Sequence, residues 1–197
     1  TQAKTLFPYT TLFRSYLGSG AGTFTSSASP LHLTGVGANA LSSNTTGGDN
    51  TGVGYQALRL NTSGGGNTAT GSGALTSNTT GSSNTANGWD AMGLNLSGSS
   101  NTAVGESALY SNTASNSNTA VGTAALFSTT AALNTGIGAY ALLNNTTGTA
   151  NTAVGYAAGQ SNGASDANTA VGYFAMGSGV ISGGGNTAVG YAALDFL

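Results

Sequence analysis

Small apolar, β-branched and turn-forming residues recur along this chain in fixed columns. From Leu33 onward the order Asn-Thr-Ala-Val-Gly-Tyr-x-Ala-Leu-x-x-Asn-Thr-Thr-Gly-x-x returns ten times. The units begin at Leu33, Asn50, Asn67, Asn84, Asn101, Asn118, Asn134, Asn151, Asn168 and Asn186. Of the nine steps between these starts, seven are 17 residues long, one is 16 and one is 18. A period held this closely predicts stacked turns, each burying surface mainly against its neighbours.

Within a unit, Thr-Ala-Val-Gly is too short and too rich in glycine and β-branched residues for a helix, but it suits a short strand. Alternation along a strand puts Thr and Val on one side and Ala and Gly on the other. Glycine fills the fifth column in all ten units, Gly54, Gly105 and Gly155 among them, and alanine fills the eighth, as at Ala57, Ala108 and Ala158. Glycine there permits a bend or a backbone approach that a Cβ would block. The Ala-Leu pair in columns eight and nine returns the chain, and Asn-Thr-Thr-Gly is turn chemistry.

Stacking in register sets like on like. The first-column Asn50, Asn67, Asn84, Asn101, Asn118, Asn134, Asn151, Asn168 and Asn186 are therefore expected to form a ladder of side-chain amides. With strands about 4.8 Å apart, ten turns make a rod of roughly 50 Å. The predicted fold is all-β: a parallel β-solenoid, or β-roll, of about ten 17-residue coils over residues 33–197. Helical repeats fail as an alternative, because 17 residues do not accommodate two helices and a turn.

Residues 16–32 read as a lead-in. Residues 5–15, Thr-Leu-Phe-Pro-Tyr-Thr-Thr-Leu-Phe-Arg-Ser, resemble translated sequencing-adapter read-through, so residues 1–15 are assigned as a non-native segment. The last unit stops short at Leu197, which is read as truncation of a longer rod.

Composition narrows the function classes. Charged residues are 4% of the chain, far below an ordinary globular protein, and cysteine is absent, so neither disulfides nor thiolate metal sites hold the fold. No run of 18 apolar residues suggests a membrane span. From residue 16 onward, Asp49, Asp90, Glu106, Asp166 and Asp195 face the single base Arg59, five against one and a net charge of −4. That balance disfavours nucleic-acid binding.

The acids fall in unrelated columns, whereas a calcium-binding repeat keeps its Asp in one, and paired-carboxylate hydrolysis needs two acids on one cleft. The lone His32 lacks partners at ligand or catalytic spacing. No catalytic residue, metal site or cofactor is predicted. The Asn-x-Ser/Thr sequences at Asn44, Asn61, Asn78, Asn95 and Asn145 match the glycosylation pattern but read as turn Asn followed by turn Thr. Tyr55, Trp89, Tyr156, Tyr173 and Tyr191 share the sixth column and are the candidate surface-binding aromatics.

Units such as Asn151–Tyr156 resemble the head repeats of trimeric autotransporter adhesins, which carry an N-S-V-A-I-G motif. Similar arrays occur in tail-fibre-like and bacterial surface proteins. The likeness covers residues 33–197. It implies a homotrimeric, left-handed parallel β-roll head that projects from an outer membrane and attaches to host, matrix or other surfaces. The anchor is then expected in C-terminal sequence beyond this fragment. Family repeats are commonly about 14 residues, so the 17-residue units enlarge a turn, and Thr stands where the family places an apolar residue beside the axis.

Each turn has few large apolar side chains, so joining Thr/Val columns of several rods would add burial. The expected function is a non-enzymatic adhesive or structural segment of a surface fibre. A phage tail-fibre shaft is the alternative, and an ice-binding solenoid, suggested by the Thr column, stands behind both.

Overall fold

The computed structural model describes residues 14–22, 31–178 and 183–195. Residues 1–13 of the segment assigned above as non-native lie outside these, as do residues 23–30 of the lead-in. Eleven short strands form one parallel sheet in chain order: β1 Arg14–Leu17, β2 Leu33–Val36, β3 Asn50–Val53, β4 Thr68–Thr70, β5 Thr85–Asn87, β6 Thr102–Val104, β7 Thr119–Val121, β8 Thr135–Ile137, β9 Thr152–Val154, β10 Thr169–Val171 and β11 Thr187–Val189. There is no helix among the described residues. The architecture is the β-solenoid that the repeat period predicts.

Register is strict. Thr pairs with Thr, Ala or Gly with Ala or Gly, and the fourth column with itself from β2 to β11. The 16-residue and 18-residue units keep this register, with Thr119 opposite Thr135 and Thr169 opposite Thr187. A one-residue slip would turn every strand inside out, so length changes are absorbed in the turns. The sheet also reaches back beyond the recognisable repeats: Arg14 pairs with Leu33 and Leu17 with Val36. Gly18 and Ala21 there match the glycine and alanine columns although no Asn leads the unit.

Ala and Gly of each strand point inward, while Thr and Val point out. The interior is built from the small third-column residue, the eighth-column Ala and the ninth-column Leu or Met, for example Ala103, Ala108 and Leu109, all fully buried. Such narrow packing keeps successive backbones close.

Glycine in the fifth column answers to that closeness. At Gly54 φ is +137°, and a Cβ would lie 2.6 Å from the carbonyl carbon of Gly71; at Gly105 φ is +133°, with the carbonyl of Gly122 at 2.6 Å. Gly155 repeats the geometry against Gly172.

After this bend the chain makes no second strand. It coils through left-handed residues at columns seven and nine, such as Gln56 (φ 58°) and Leu58 (φ 53°), or Ser107 (φ 52°) and Leu109 (φ 53°). Left-handed backbone is unfavourable for non-glycine residues by roughly 1–2 kcal/mol each. It persists here because neighbouring turns fix it. The Leu58 N–H donates to the Ala74 carbonyl at 3.0 Å, and the Leu109 N–H donates to that of Ala125 at 2.9 Å.

Candidate functional site

Two asparagine columns run inside the rod, and they do different jobs. The first-column Asn50, Asn67, Asn84, Asn101, Asn118, Asn134, Asn151 and Asn168 are buried, and Asn186 is partly so. Their side-chain carbonyls accept the main-chain N–H of the next Asn, from Asn67 onto Asn50 at 2.8 Å through Asn186 onto Asn168 at 2.9 Å. Their NH2 groups cross the turn to a main-chain carbonyl, as Asn67 does to Gly81 at 2.8 Å. The amide-to-amide bonding expected of this column occurs only in places, such as Asn84 to Asn67 at 3.2 Å.

The regular side-chain ladder lies in the twelfth column. Asn61, Asn78 and Asn95 each donate to the Asn one turn back at 2.6–2.7 Å and to the Gly three residues on. Burial of these amides without partners would cost about 1–3 kcal/mol each, so the ladder is what lets them sit inside. The sequence signal was available: a solvent-facing turn position exchanges Asn for Asp or Ser, whereas this column keeps Asn in seven units. The Asn-x-Ser/Thr residues Asn44, Asn61, Asn78, Asn95 and Asn145 all belong to it and are buried, so in the folded rod they are core residues. Among the described residues the ladder breaks once. Thr129 replaces Asn in the short unit, and Oδ1 of Asn112 is left with no donor.

Surface chemistry is carried by the outward columns. Thr and Val of columns two and four cover the sheet, and Val104, Ile137, Val154 and Val189 are exposed, by 36% at Val154 and 69% at Val189. In units 3 and 4 the fourth column turns polar, with Thr70 and Asn87.

Just past the glycine bend lies the aromatic column. Tyr156, Tyr173 and Tyr191 stack ring on ring at 5.2 and 5.4 Å, nearly parallel, with Phe174 tilted against two of them and Tyr140 meeting Tyr156 edge-on. Tyr55 and Trp89 also stand out from the surface but stack on no other ring among the described residues. A second stack, Tyr110 on Phe127 at 5.3 Å, occupies column ten. Column-by-column reading of the sequence missed it because only two adjacent units carry it.

Ionisable groups are dispersed. His32 Nδ1 meets Asp49 at 2.8 Å across one turn, with both side chains largely exposed. The Asp166 carboxylate accepts the Thr149 N–H at 2.6 Å and the Thr149 hydroxyl at 3.0 Å, which hold its pKa below the ordinary carboxylate value. Partial burial moves Asp90 the other way. Asp195 accepts the Ser178 N–H at 2.7 Å. No three acids or histidines lie together among the described residues.

Compared with known proteins, the chain matches no family model, no curated protein and no solved structure.

Proposed function

We propose that this chain is a non-enzymatic structural and adhesive segment of a bacterial surface fibre, in which three copies associate along the outward Thr/Val face. The observation that carries the reading is the division between the columns. The interior is closed by Ala, Leu or Met and buried Asn, while Val104, Ile137, Val154 and Val189 stay exposed on the outward side of the sheet. β-Branched apolar side chains repeated at strand spacing on an open face are suited to packing against another such face.

The stacked Tyr156, Tyr173 and Tyr191 continue that apolar surface around the glycine bend. A rod of identical rungs also suits a role set by length and surface display. The resemblance of Asn151–Tyr156 to adhesin head repeats agrees with this, and it motivates an outer-membrane anchor in the parent protein.

Retention under flow tests the adhesive part. Beads coated with the full chain should be held on surfaces bearing matrix proteins or glycans, and more strongly than beads coated with albumin. Equal loss from every surface would reduce the segment to a passive spacer.

A further inference from the structure

Trp89 is the only tryptophan in the chain, and it is 56% exposed with no ring packed against it among the described residues. Its column neighbours are Ser72 one turn back and Glu106 one turn ahead. Main-chain bonds fix that order, from Asp90 N–H to Ser72 O and from Ser107 N–H to Trp89 O, both at 2.9 Å. Both neighbours are exposed.

The Asp90 carboxylate reaches back over Gly73, filling the space where a Cβ on that glycine would stand. Glu106 therefore stands one rung ahead of the indole and the Asp90 carboxylate reaches toward the rung behind it. No Lys, Arg or His occurs anywhere after Arg59, two units before Trp89, and neither carboxylate forms an ion pair among the described residues. Exposed Asn87, two residues before the indole, adds a hydrogen-bonding amide.

An open indole face draws both sugar C–H surfaces and cations, and Trp is the strongest side chain for the second. Carboxylates without protein counter-ions select the charge. We infer that Trp89, with Asp90 and Glu106, forms a recognition site for an ammonium-bearing saccharide, the amine lying between indole and carboxylates. The site deepens the adhesive reading and rests on it, since it names the chemistry of the surface being gripped. Tyr156 and Tyr173 do not share the role, because neighbouring rings already pack against them from more than one side.

The lone tryptophan makes the test direct. The full chain is titrated with glucosamine trimer, amines charged, and with the N-acetylated trimer, while indole fluorescence is followed. Saturable change with the charged trimer, at an affinity about tenfold above the neutral one, is expected. By calorimetry, Trp89→Ala should abolish binding and Glu106→Gln should weaken it several-fold, both with unchanged melting.

No response to either trimer overturns the site, and equal affinity for both overturns the role of the carboxylates. Oligomeric mass measured on the same sample separates this outcome from failure of the fibre assembly, because saturable binding by a monomer would leave the site standing and remove the trimer.

Discussion

In units 3 and 4 the outward fourth column holds Thr70 and Asn87 and the sixth holds Ser72 and Trp89. In units 8 to 10 the same columns hold Val154, Val171 and Val189, and Tyr156, Tyr173 and Tyr191. Behind these contrasting exteriors the interiors match but for Gly159, which takes the ninth column of unit 8. Ala69 and Ala86 fill the place of Ala153 and Ala170, Leu75 and Met92 that of Met176, and glycine closes every bend. The contrast separates two demands on one repeat. Stacking fixes what points inward, because each side chain there meets its own copy one rung away. What points outward is free to vary, so variation there reports on neighbours and ligands.

The largest expected effect ignores the difference between the regions. Gly88→Ala and Gly155→Ala each force a Cβ against the next turn's carbonyl at a positive φ, and each should destabilise by about 3 kcal/mol or more in denaturant unfolding. A large loss at one site and none at the other would mean that the two halves are not built alike.

Next come the amides. Asn78→Ala and Asn162→Ala should each cost about 1–3 kcal/mol, since each removes a buried amide that donates to the Asn one turn back. Thr129→Asn should act in reverse and add about 1 kcal/mol by supplying the donor that Asn112 lacks. Failure of that variant to stabilise would show that the short unit cannot seat the longer side chain.

Aromatic truncation should then tell the regions apart. Tyr173→Ala removes a ring stacked on both sides and should lose about 0.5–1.5 kcal/mol beyond its area, whereas Trp89→Ala should change thermal stability by less than about 0.5 kcal/mol.

Acid titration gives the smallest effects, and they have opposite signs. Asp166 has a depressed folded pKa, so its contribution is complete above the unfolded-state value and is lost as pH falls through the folded one. Asp90 has a raised folded pKa, so the native state is favoured in acid, and that contribution is lost as pH rises through the folded value. Asp166→Asn should therefore lower the melting temperature slightly at neutral pH, Asp90→Asn should raise it slightly, and both differences should vanish in strong acid.

Much of the fold was legible because a repeat states its own register. The strand, the inward Ala and the indispensable Gly54, Gly105 and Gly155 follow from columns that keep one residue type or nearly so. The left-handed residues at Gln56 and Leu58 were not legible, since ordinary side chains conceal a backbone that only contacts between turns can hold. The Asn44 to Asn112 ladder was masked by its own chemistry: Asn before Thr-Thr-Gly is also good turn sequence, and only its constancy from unit to unit points to burial. The strand at Arg14–Leu17 escaped because it lacks the leading Asn, though Gly18 and Ala21 keep the pattern. Outward aromatics were found by column, but whether they stack or stand alone depends on the neighbouring unit, and that decides what each can do.

The proposed fibre requires the outward Val and Ile row to be an interface between copies. Light scattering of the full chain over a wide concentration range measures it most directly, with Ile137→Asn/Val154→Asn as the comparison. The account predicts a stable trimer that the double variant converts to folded monomer, its β signal retained. A wild-type chain that is monomeric and folded at every concentration would contradict it.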